Sequence, residues 1–234
     1  MKKLISLFIV LLVCISLAAC GGTSSQPDNG SNDFEIFDSM EYSAYVNIFY
    51  EGNGSDFENK TYTKEGIFGI LQDEYSNVTR YYVWGYADQT KCCDYQWEIV
   101  PDENVQLPAP GSLVTVSGEF VANEDALDGY RFENITLETK KEKAVSSYDY
   151  DLTTLSPTLV RVQLINMLNF PLEFDGKTVN VFGRVYDTDT IQHPYYDEAW
   201  YLDCVGELNA TTGNYVTVSG TFTADGENSY LQIN

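Results

Sequence analysis

The chain has 234 residues, with 13 Lys and Arg against 35 Asp and Glu and a net charge of −22. A field of that sign repels phosphate backbones and anionic lipid surfaces, which excludes nucleic acid as an expected partner and leaves cations, neutral ligands such as glycans, or plain solubility. Aromatic residues make up 14% of the chain, enough to fill a core, so this acidity is not that of a disordered protein.

Met1-Lys2-Lys3 is a short positive start, and Leu4 to Leu17 is an apolar stretch too short and wrongly flanked for a permanent span. Leu17-Ala18-Ala19-Cys20 closes it. The order of charge, apolar core, small residues and cysteine resembles the signal of bacterial lipoproteins. That resemblance implies cleavage after Ala19, acylation of Cys20 with palmitate-type chains, and a protein held at the cell membrane on the extracytoplasmic side. The alternative is an ordinary secretory signal with an incidental cysteine. Loss of residues 1–19 removes two lysines and no acid, leaving 11 basic against 35 acidic residues and a charge of −24. Residues 20–33 are rich in Gly, Ser, Asn and Asp and read as a lipidated flexible tether.

Residues 34–139 read as a first module. Asp38-Ser39-Met40-Glu41 is a helix start, with Asp38 as cap and Glu41 three residues on. Strand-like segments follow at Thr61–Gln72, Arg80–Ala87, Tyr95–Val100, Leu113–Ala122 and Tyr130–Thr139, with a turn-rich connection at Pro101–Gly111. Residues 140–150 read as a charged break and linker.

Residues 151–234 read as a second module. Ser156-Pro157 is a cap followed by proline at the first helical position, and an apolar run continues to Pro171. That run is β-branched enough to suit a strand, but the cap, the length and the closing proline favour a helix. Strands are expected from Phe174 to Val185, in two short middle pieces at Ala199–Cys204 and Val205–Leu208, and at Tyr215–Thr223 and Ser229–Ile233.

The two modules repeat each other. Val114-Thr115-Val116-Ser117-Gly118-Glu119-Phe120 recurs as Val216-Thr217-Val218-Ser219-Gly220-Thr221-Phe222, 102 residues later. Ser39–Gly66 aligns without a gap to Ser156–Gly183 at an offset of 117, so the second copy is 15 residues shorter in its middle. Together, Gly-Lys-Thr-Val-x-Val-x-Gly-x-Val near the start and Tyr-Val-Thr-Val-Ser-Gly-Thr-Phe near the end resemble the OB-fold-like modules of secreted bacterial lipoproteins, including the family described as tRNA-anticodon-domain-like. The fold this implies is mainly β: two tandem OB-like small β-barrels, each preceded by a short α-helix, after a lipoprotein signal and tether. It implies no nucleic-acid binding, since the same fold holds oligosaccharides, peptides and proteins.

Candidate chemistry is sparse. Beyond Cys14 and Cys20, three cysteines remain, Cys92, Cys93 and Cys204, so they cannot all pair within one chain. Asp88, Cys92 and Cys93 suggest a metal site, but neighbouring strand residues face opposite ways and His193 is the only histidine. A buried or free thiol, or a disulfide from Cys92 or Cys93 to Cys204, is the alternative. His193, before Pro194 in a Tyr- and Asp-rich loop, reads as a surface histidine, and no catalytic residue and no cofactor are expected. Tyr82, Trp84, Tyr86 and Trp97 crowd the second and third strands, where an OB barrel often carries its ligand. One alternating set should be core, and the other could stack on a sugar or a partner.

The expected function is thus a non-catalytic binding module at the membrane, for a neutral ligand (glycan or peptide) or an envelope protein. The alternative is an envelope enzyme or metal/redox protein built on the Cys92–Cys93 region. Cys20→Ser should abolish anchoring. Metabolic labelling with palmitate should mark the wild type alone, and equal labelling of both would refute the lipid site.

Overall fold

In the computed structural model, residues 54–73, 78–86, 94–126, 129–194, 200–226 and 228–233 are described. The signal, Ala19, Cys20, the tether, the helix expected at Asp38, and Asp88, Cys92 and Cys93 lie outside the described residues.

Five strands build the first module: β1 (Thr61–Asp73), β2 (Val78–Tyr86), β3 (Asp94–Ile99), β4 (Leu113–Ala122) and β5 (Tyr130–Lys141). They close as a barrel in the order β1-β2-β3-β5-β4, with the β3–β5 contact parallel and the others antiparallel. β4 shows why. Val114, Val116, Gly118 and Phe120 are buried while the residues between them are half-buried, the period-two pattern of a strand with one face on a core. Phe68, Val83, Tyr95, Trp97, Val114, Val116, Phe120 and Phe132 meet inside, and Trp97 stacks on Phe132 at 4.1 Å. Lys64 also points in, 2% exposed, with its Nζ 4.6 Å above the Tyr95 ring.

The second module begins with β6 (Tyr150–Asp151), a 3-10 turn at Leu152–Thr154, helix α1 (Pro157–Asn169) and a single turn α2 (Pro171–Phe174). The helix reading of this run holds. Ser156 is extended at φ −65, ψ 156, its Oγ accepts from the Leu159 N–H, and Pro157 occupies the first turn. Leu159, Val160, Gln163, Leu164 and Met167 are buried on one side of the helix. Five strands follow: β7 (Thr178–Val185), β8 (Thr190–Gln192), β9 (Tyr201–Val205), β10 (Tyr215–Asp225) and β11 (Asn228–Ile233). The sheet runs β10-β11-β9-β8-β7-β6, and an additional β10–β7 pairing closes β7 to β11 into a ring with β6 outside it.

The registers confirm that one plan is used twice. Gly66 lies opposite Val114, and Gly183 lies opposite Val216. Tyr62 opposite Gly118 becomes Val179 opposite Gly220. The parallel β3–β5 contact, Ile99 to Phe132, has its counterpart in Cys204 to Leu231 between β9 and β11. The architecture is mainly β, with two small barrel-like sheets and short helices between them, and it is compatible with OB-like modules.

Three expectations are corrected. Thr190–Gln192 forms β8 although its sequence reads as loop, because all three residues are buried between β7 and β9. Val205–Leu208 is no strand: β9 ends at Val205, and Gly206 takes φ +131. Lys140 and Lys141 belong to β5, so the chain does not break at 140.

The repeated glycine marks a tight spot in both modules. The β4–β5 register shifts between Ser117 and Glu119, with Asn134 at φ +51 on the opposite strand, which is a bulge. A Cβ on Gly118 would stand 2.8 Å from Ile135 Cγ2 and 3.1 Å from the Glu133 carbonyl. A Cβ on Gly220 would collide with the Gln232 carbonyl oxygen, which is backbone and cannot turn aside. Gly118→Val should therefore cost about 1–3 kcal/mol through overpacking, and Gly220→Val more. Thr115→Val, which gives up only a long 3.4 Å hydroxyl contact to Glu65, should cost less than about 1 kcal/mol. Urea unfolding of the whole chain checks the series, and a Gly118→Val midpoint equal to the parent's would show that the tight contact is of no consequence.

Candidate functional site

The outer face of β1, β2 and β3 is where the first barrel meets the second module. Tyr82 and Trp84 point outward, opposite to Tyr81 and Val83, and are 1% and 2% exposed. They are covered by residues 151–160. Trp84 Nε1 donates to the Thr154 carbonyl at 2.8 Å. Gln96 Nε2 donates to Ser156 Oγ at 2.8 Å, the same oxygen that caps α1. Asp94 accepts from the Thr158 N–H and from its hydroxyl, both at 3.1 Å, and so places a carboxylate at the helix N-terminus. Leu71 and Tyr82 join Leu152, Leu155, Leu159 and Val160 in one apolar cluster with the second barrel's core. Gly69 leaves room for this approach: a Cβ there would already touch Leu155 Cδ2 at 3.4 Å.

The residues expected to stack on a ligand are thus placed differently from one another. Tyr82 and Trp84 are packed into the module junction, and Trp97 lies inside the barrel. Tyr86, half-buried, meets Trp84 edge-on at 5.6 Å. The first three present no open ring face.

The internal repeat points to another surface. In the first barrel the junction is built on one row of cross-strand neighbours, Leu113–Ile67–Trp84–Gln96. The same row in the second barrel reads Tyr215–Arg184–Gln192–Tyr201. Tyr215, Arg184 and Tyr201 are half-buried, and Tyr186 beside them is 50% exposed. Tyr186 meets Tyr201 edge-on at 5.0 Å, and Phe182 stacks on Tyr215 at 5.9 Å with ring planes 10° apart. Between these two pairs lies Gln192, 5% exposed, which with its amide turned over would accept from Arg184 Nε at 3.1 Å. Thr190 donates to Asp203 Oδ1 at 3.2 Å at the edge of the row. Hydrogen bonds from the Asp189 backbone, after the burial that opposes them, leave the Asp187 carboxyl below its ordinary range, so the adjoining loop is anionic. Sequence reasoning missed this face because its four members sit on four strands and form no motif; a comparison of the two copies position by position would have found it.

Cys204 lies inside the second barrel as a free thiol. Burial, aided by the negative charge of Asp203, pushes it up to about 12, far from the range of a reactive thiolate. Among the described residues no group of three or more His, Cys, Asp and Glu is placed to hold a metal ion, and no helix is long and apolar enough to cross a membrane.

His193 is not the surface residue that its loop context suggested. It is 2% exposed, packed edge-on against Trp200 at 5.9 Å, and it holds the Pro157 carbonyl at the start of α1. Burial lowers it below its usual value near 6.5; Asp94 from β3 opposes that shift and Arg161 from α1 adds to it.

The sequence matches no family model, and no curated protein is significantly similar to it.

The lowered histidine sets a pH dependence. The unfolded chain takes up the proton first as pH falls, so stability present above about 6.5 is lost on going down toward the folded value. Urea midpoints should drop between pH 7.5 and pH 5.5 in the wild type, and by distinctly less in His193→Gln. Parallel curves for the two proteins would refute the assignment.

Proposed function

We propose that the chain is a lipid-anchored extracytoplasmic lipoprotein that binds, without catalysis, a neutral ligand on the outer face of its second barrel. The observation that carries this reading is the contrast between two equivalent rows. Leu113–Ile67–Trp84–Gln96 packs against residues 151–160, whereas the row Tyr215–Arg184–Gln192–Tyr201 sets half-buried Tyr215, Arg184 and Tyr201 around a buried Gln192 at the same place in the fold. Aromatic rings with a few oriented polar groups are the usual make-up of a ligand surface.

The lipobox-like start at Cys20 and the glycine- and serine-rich tether after it support a location at the membrane, with the barrels held away from it. The charge of −22 supports a ligand that is not an anionic polymer, and the likeness to OB-like lipoprotein modules supports a binding role for a small barrel.

Hydrogen–deuterium exchange tests the site. Soluble cell-wall fragments added to the full chain in detergent should slow exchange in β8, β9 and the 186–190 loop. Arg184→Ala with Tyr201→Ala should weaken that binding at least tenfold, about 1.4 kcal/mol. Protection confined to the first barrel, or untouched by the double substitution, would refute the proposed face.

A further inference from the structure

We propose that the start of α1 is a pH-sensitive clasp: acidification puts a proton on buried His193, and the contact between β3 and residues 154–158 then opens while both barrels stay folded.

The geometry at the helix start carries this. Three consecutive residues there are held by three different side chains. Ser156 Oγ accepts from Gln96 Nε2, the Pro157 carbonyl accepts from the His193 ring, and the Thr158 N–H and hydroxyl donate to Asp94. Gln96 and Asp94 belong to β3 and are tied to each other, since Gln96 Nε2 also donates to Asp94 Oδ2 at 2.6 Å. His193 follows directly on β8. The first barrel thus grips the helix start at two residues, and the second barrel grips it at the residue between them. Histidine is the one side chain that ordinarily changes charge between about pH 5 and 8, and His193 is the only histidine in the chain.

An imidazolium has no good place in the closed junction. His193 is 2% exposed, so its charge would stand away from water. It would also stand at the N-terminal end of α1, where the helix dipole favours anions. Among the described residues, the charged groups that act on it are Asp94 from β3, which favours the proton, and Arg161 from α1, which opposes it. Trp200, packed against its ring, carries no charge. Burial outweighs the help of Asp94, so the proton goes on more readily once β3 and the helix start have parted and water reaches the ring. The contacts released are those of Gln96 and Asp94 with residues 156–158, and of Trp84 Nε1 with the Thr154 carbonyl. The pairings β1–β4 and β7–β10 that close the two sheets lie elsewhere and contain no titrating imidazole.

Hydrogen–deuterium exchange of the full chain in detergent micelles decides the matter, at pH 7.5 and pH 5.0, with labelling times scaled for the intrinsic rate. Protection of amides 154–160, Thr158 above all, should fall at least tenfold at pH 5.0 while β4 and β10 keep theirs. His193→Gln keeps a side-chain N–H for the Pro157 carbonyl and takes up no proton, so its protection should be the same at both pH values. Arg161→Gln, at an exposed position, removes the opposing charge and should shrink the loss. This second variant keeps the test open if His193→Gln fails to fold. An equal loss in wild type and His193→Gln, or in wild type and Arg161→Gln, would overturn the role of His193. Loss spread equally over β4 and β10 would mean global unfolding and would overturn the clasp. Unchanged protection in the wild type would overturn it too.

Discussion

The described structure depends on how residues 151–158 lie on the first barrel. Ser156 Oγ carries two duties, accepting from the Leu159 N–H to start α1 and from Gln96 Nε2 to hold the first barrel. Asp94 adds a carboxylate at the same helix start, and Trp84 Nε1 fixes the turn just before it. Around these polar contacts Leu71 and Tyr82 bury themselves with Leu152, Leu155 and Leu159, and full burial of each such side chain is worth roughly 1.5–3 kcal/mol. The second barrel's helix therefore begins on a surface that the first barrel provides, and the two cannot be treated as independent beads on a string.

That arrangement explains the uneven burial of the two copies. β2 is buried on both faces along Tyr82–Gly85, as expected of a strand covered on either side. In the second barrel, β9 keeps the alternation of a strand with one solvent face, Leu202 and Cys204 in, Asp203 and Val205 out. One topology thus gives two surfaces of different chemistry, the first of them consumed in the contact with residues 151–160.

Much of this was legible in the chain alone. The heptapeptide and the offset of 117 located both barrels, and Ser156-Pro157 located the helix, because caps, prolines and strand alternation are local signals. What escaped was decided by distant residues. Alternation separates Tyr82 and Trp84 from Tyr81 and Val83, but it cannot say that a segment 70 residues away from Trp84 covers the outward set. β8 has only three residues and no polar alternation, since both of its faces are filled by neighbours. His193 is buried by Trp200 and by the first turn of α1, which nothing in its own loop announces. The Tyr215–Arg184–Gln192–Tyr201 row exists only once four strands have been set in register.

The two copies differ at every position of this row, and where the first has Gly69, which admits the Thr154 carbonyl and the Leu155 side chain, the second has Tyr186. The first copy's row answers to an internal partner: a change at Ile67, Trp84 or Gln96 is tolerated only when residues 154–156 accommodate it, so the two segments must evolve together. The second copy's row is built of different residues, with Gln192 buried between β7 and β9, so it answers to its own neighbours in the second barrel.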